Sequence, residues 1–236
     1  MRVYTGYLPM PIWFIKKLRR NHLSTQSASN RVDIVTAQLS SFERFAGLSA
    51  ILTGIAGILY SISFVVLKND LLNALFLMSG GLLTTAALTA VYNRLKETNT
   101  TFALWALLLG IAGAFGAIIH GGYDLANAIN PPAVNVALAS LPSTVDPRGL
   151  LTFGVAGLSV FSIAWLMGRG RQFPRGLSYW GYLLAVLLVV LYLGRLIILD
   201  PKNPLIAVVA LVSGFIVNPV WYLWLGMVLW RGRSTV

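Results

Sequence analysis

Cysteine is absent from the 236 residues, which removes disulfides, a thiolate nucleophile and any Cys-ligated zinc or iron–sulfur cluster. Acidic residues are scarce too, with seven Asp and Glu against 18 Lys and Arg. Only 11% of the chain is charged, where a soluble domain carries about 25%. Of the two histidines, His22 lies far from His120 in the sequence, so a zinc site lacks a third protein ligand. There is no His-Glu-x-x-His, no Gly-x-Ser-x-Gly and no glycine-rich phosphate loop. The usual signatures of hydrolases and nucleotide-binding enzymes are therefore missing.

What the chain does contain is long apolar segments, near 46–67, 71–93, 102–129, 149–168, 178–199 and 204–230. Each can cross ~30 Å of hydrocarbon at 1.5 Å per residue. The expected fold class is all-α, an integral membrane bundle of six transmembrane helices. Of the 18 basic residues, 14 lie before the first segment, between the second and third, between the fourth and fifth, or after the sixth. That alternation places both termini in the cytoplasm by the positive-inside rule and points to an inner-membrane, multi-pass protein. The expected partners are anionic lipid headgroups on the cytoplasmic side, with no nucleic acid. Trp180, Trp221, Trp224 and Trp230, with Tyr179, Tyr182 and Tyr222, gather toward the inner ends of the last two spans as an interfacial belt. A homo-oligomer or a membrane-complex partner is compatible with the sequence.

Residues 1–45 read as a basic cytoplasmic tail, in which 11–20 has the pattern of a short interfacial helix. A cleavable secretory signal is not expected, because the apolar stretch Tyr7–Ile15 precedes the basic cluster. The long outer connection, roughly 130–148, has an apolar middle and is expected either to fold back as a cap or to serve as a tether.

Polarity inside the spans is sparse. On the third segment, Ala106, Gly110, Gly113 and Ala117 form a small-residue face. The same face continues as His120, Asp124 and Asn127. Arg195 is the one basic residue well inside a span, where a charge costs roughly 2.5 kcal/mol unless it pairs or snorkels. Asp124 is its expected partner at similar depth, with Asp146 and Asp200 as competitors. The candidate pocket is His120, Asp124, Asn127, Tyr192 and Arg195, open to the outside. The competing reading is a helix-locking salt bridge that needs no ligand. Asn218-Pro219 lies mid-span in the sixth segment and predicts a kink. No metal and no cofactor is called for, although His120 offers a haem ligand as a distant alternative.

Gly54-Ile-Ala-Gly57 recurs as Gly110-Ile-Ala-Gly113 and Gly154-Val-Ala-Gly157, a weak echo of the kind that inverted transporter repeats show. The run Ser41-Phe-Glu-Arg-Phe-Ala-Gly-Leu-Ser-Ala-Ile-Leu52 resembles the start of a group of bacterial six-span membrane proteins of unknown function. So do Asp146-Pro-Arg-Gly-Leu150, Leu193-Gly-Arg-Leu-Ile197 and Asn218-Pro-Val-Trp-Tyr-Leu-Trp-Leu-Gly226. The resemblance spans roughly 41–232 and implies no activity. The leading expectation is a non-enzymatic membrane protein, either an accessory or scaffold component or a binder of a small ligand. Alternatives are a small-solute or ion transporter and, more distantly, an intramembrane enzyme or haem protein.

Overall fold

The computed structural model describes residues 41–130, 145–198 and 203–232. The tail helix expected over 11–20 and most of the 130–148 connection, like Asp200, lie outside the described residues. Every described element is helical. Six helices are long and apolar enough to cross a membrane: α1 (Ser41–Leu67), α2 (Asp70–Leu95), α3 (Thr100–Ile129), α4 (Pro147–Arg169), α5 (Arg175–Ile197) and α6 (Pro204–Trp230). This is a multi-pass membrane architecture.

Local chemistry explains where the helices start. The Asn69, Asn99 and Asn203 side chains accept from the amides of Leu72, Phe102 and Leu205, each at 3.0 Å, relieving donors that have no partner within the helix. Asp146 does the same for α4. Its Oδ1 accepts from Leu151 N at 2.9 Å, and its Oδ2 accepts from Thr152 N at 2.9 Å and from the Thr152 hydroxyl at 2.6 Å. Lys68, with φ of 51°, ends α1 in the left-handed region. Asp146→Ala is expected to cost about 1–2 kcal/mol, measurable as a lower unfolding midpoint in detergent.

Consecutive helices pack side by side from α2 to α6. The ring closes where α1 meets α2 at Ala56 and Gly80, and meets α6 at Gly47 and Gly226. Outward faces are apolar: on α1, Phe45, Leu48, Leu52, Ile55 and Leu59 are exposed at three- and four-residue spacing. A water-facing surface would not carry such a stripe, whereas lipid accepts it. Interhelical polar links join the ring, as when Ser159 donates to the Ala106 carbonyl and Ser178 to the Ala164 carbonyl, each at 2.7 Å.

The two ends of the ring differ. At the Arg-rich end, Leu95, Leu166, Met167, Leu177, Leu225 and Leu229 are fully buried. So is Trp221, with no exposed surface. The aromatic-belt reading therefore fails for this residue, because the α6 face that carries it turns into the bundle. Trp230 and Tyr179 do remain exposed. Arg94, counted from the sequence among the free cytoplasmic charges, is buried as well. Its guanidinium donates to Glu43 through Nε at 3.2 Å and Nη2 at 3.0 Å, reaches the Val228 and Leu229 carbonyls at 3.5 Å, and lies 5.6 Å from the Phe173 ring centre. One side chain thus ties α1, α2, α6 and the 170–174 connection together.

The kink expected at Asn218-Pro219 takes the form of a widened turn. Residues Ser213–Val217 are π-helical, and the Asn218 amide bonds back to the Ser213 carbonyl. The extra residue in that turn accommodates the proline ring and its missing donor. Trp180 on α5 also donates to the Val217 carbonyl at 2.9 Å. Two further π-turns, Ser63–Leu67 and Leu150–Val155, lie at the end of the bundle opposite the Arg-rich loops. Relative to the Gly-x-x-Gly echo they sit on opposite sides, after Gly57 in α1 and around Gly154 in α4, so the backbone irregularities do not follow the echo.

Candidate functional site

A ring of six helices closed by glycine and alanine cannot fill its own centre. The result is a cavity of about 460 Å³ bordered by all six spans, within the ~300–1,000 Å³ usual for ligand pockets. Along α5 its wall runs from Leu184 to Arg195, about 16 Å of helix. Its deep end lies near Thr84 and Tyr222, and the packed leucines beyond seal it toward the Arg-rich loops. The walls are small or apolar, with isolated hydroxyls at Thr53, Tyr60, Ser61, Ser159 and Ser213 and the amide of Asn218.

All three π-turns contribute to the wall: Phe64 and Val65 from α1, Thr152 and Phe153 from α4, and Ser213, Gly214 and Phe215 from α6. Widened turns change which side chains face inward, and here each turns an aromatic ring toward one space. Among the described residues, Arg195 is the only charged one on the wall. Its guanidinium carbon lies 5.3 Å from the Phe153 ring centre, and Arg148 Nη1 is 3.5 Å from the Arg195 carbonyl.

The five residues grouped from the sequence separate. Arg195 lines the cavity; His120, Asp124, Asn127 and Tyr192 do not. The expected Asp124–Arg195 ion pair is not formed. His120 Nε2 sits 3.1 Å from Asp124 Oδ2 one helical turn away, and a pairing within one helix requires no adjustment of α5 against α3. Tyr192 lies against Gly154 of α4, and Asn127 is half-buried in the last turns of α3. Asn218, read from the sequence as a kink residue that could also bond across helices or line a passage with Ser213, faces the cavity, while Pro219 packs against Gly54 and Gly57 of α1.

The lining residues that sequence reasoning missed had a signal. Thr53, Gly57, Tyr60 or Ser61, and Phe64 recur at three- and four-residue spacing along α1. Gly214, Asn218 and Tyr222 do so along α6. Apart from Phe64, each stripe places a polar or small group on successive turns of an otherwise apolar helix. Comparison with protein-family models, curated proteins and solved structures finds no match.

Among the described residues, no carboxylate, histidine or lysine faces the cavity, and no three His, Asp or Glu residues cluster as metal ligands would. The wall can hold an apolar body and present one cation at its rim.

Proposed function

We propose that this is a non-enzymatic inner-membrane protein that binds a small, largely apolar guest within its helical ring. The observation that carries this reading is the 460 Å³ space walled by all six spans and sealed beneath by the packed Arg-rich end. In this reading both termini and the basic loops lie in the cytoplasm against anionic headgroups. The cavity then belongs to the outer half of the bilayer. Transport would require a continuous path past Trp221 and the Arg94–Glu43 pair, and the packing there favours a one-sided binding site.

Native mass spectrometry of the detergent-solubilised protein, titrated with dodecanol as a neutral probe, tests this. Saturable uptake of a single probe molecule is expected. Ala117→Phe, which adds a ring at the cavity wall, is expected to weaken uptake by at least ~10-fold, or about 1.4 kcal/mol. Ala210→Phe repeats the test from the opposite wall should the first variant fail to fold. Unsaturable uptake, or identical uptake by folded variants, would overturn the reading.

A further inference from the structure

We infer that the guest is a single-chain anionic amphiphile drawn sideways from the bilayer, with its head on Arg195 and its chain in the cavity. The inference rests on the binding reading above and adds the ligand's charge, shape and route.

Charge comes first. Among the described lining residues Arg195 alone is charged, and it stands near one end of the space. Among the described residues it makes no ion pair within 4 Å. A guanidinium set against an apolar wall and the face of Phe153 has given up part of its hydration. An anionic head would restore it through charge-assisted, two-pronged hydrogen bonds, the geometry in which arginine binds carboxylate and phosphate best. The Asp124 carboxylate lies on His120 at 3.1 Å, and Asp146 caps α4 with both oxygens. Neither carboxylate lines the cavity.

Shape follows from the wall. From Arg195 the space runs about 16 Å toward Leu184, past Leu191, Leu188 and the small faces of α3 and α6. That is the length of a dodecyl-sized chain, and the deep end offers hydroxyls but no second charge.

The route is lateral. Ser63–Leu67 packs on α2 and Pro204–Val212 packs on α5, whereas α1 and α6 meet closely one turn deeper, where Ser61 lies against Gly214. Phe64, Val65 and Leu211 border the cavity, yet they are 58%, 42% and 40% exposed. The wall between cavity and surroundings is one side chain thick there, and its outer surface is apolar. Lipid chains meet that surface directly.

The test compares dodecanoate and dodecyl phosphate with dodecanol by native mass spectrometry, on wild type, Arg195→Gln and Arg195→Lys. Wild type is expected to bind the anions at least ~10-fold more tightly than the alcohol. Arg195→Gln should abolish that preference by weakening the anions far more than dodecanol, and Arg195→Lys should restore part of it. Acetate and inorganic phosphate, which have the head without the chain, should not compete. Equal affinity of wild type for alcohol and anion, or competition by the free ions, overturns the amphiphile inference and leaves the cavity reading standing. Loss of dodecanol binding as well as anion binding in folded Arg195→Gln would also overturn it, by showing that Arg195 shapes the cavity and does not read charge.

Discussion

Replacing Glu43 by Ala is expected to lower the stability of the bundle by about 3–5 kcal/mol, the usual cost of leaving one member of a buried ion pair without its partner. Arg94 is 1% exposed. Without the carboxylate, its guanidinium keeps, among the described residues, the two carbonyls at 3.5 Å and the ring of Phe173. Arginine stays protonated in proteins, so the charge cannot be shed, and water must enter or α1 must move. The double variant Glu43→Leu with Arg94→Leu removes both charges and is expected to recover most of the loss, since well-packed apolar replacements of buried pairs are often neutral or better. Chemical unfolding in detergent micelles, run as a double-mutant cycle, measures both. If the single variants Glu43→Leu and Arg94→Leu proved additive in that cycle, the pair would not be a clasp.

The second large effect is expected at the crossing of α1 and α6. A Cβ added to Gly226 would lie 2.6 Å from the Gly47 carbonyl oxygen and 2.8 Å from the Ile51 amide nitrogen, both backbone atoms that no rotamer change can move. A Cβ added to Gly47 would in turn lie 2.7 Å from the Trp230 amide nitrogen. Lipid supplies no hydrophobic drive between helices, so close backbone approach is what holds such a pair together. Gly226→Val is expected to cost more than ~3 kcal/mol, above the usual range for overpacking, and to sharply reduce the yield of folded protein by size-exclusion chromatography. Gly122→Ala is the control. Its Cβ would meet only the Met78 sulfur at 3.8 Å, and a helical Gly-to-Ala change without a clash is expected to be neutral or stabilising by up to ~1 kcal/mol.

The spans were legible because length and apolarity are local properties. Each expected segment falls within about five residues of its observed helix, and the Asn and Asp caps that fix the starts can be read one residue at a time. Arg195 was legible as an exception for a similar reason, since a lone cation in an apolar run needs no structure to be noticed. Its surroundings were not. The guess that Asp124 would face it assumed equal depth on two helices, yet depth fixes height and not rotation. A rotation that sets Gly121 of α3 against Ala74 and Met78 of α2 leaves Asp124 off the cavity wall and beside His120.

Arg94 and Glu43 show the same limit from the other side. In the sequence one is a loop cation and the other is, with Asp33, one of two acids ahead of the first apolar run. Nothing local distinguishes a retained charge from a buried clasp. Trp221 likewise reads as an interfacial anchor until α6 is turned to show which face it occupies.

The chain by itself determines that it is helical, how many times it can cross a membrane and where each crossing starts, because hydrocarbon thickness and unsatisfied backbone amides act on each segment separately. Only the tertiary structure decides that six such segments close into a ring with one solid end and one hollow end. That outcome depends on which glycines meet which backbones and on three widened turns facing the same space. It is a property of packing between helices, and no single helix contains it.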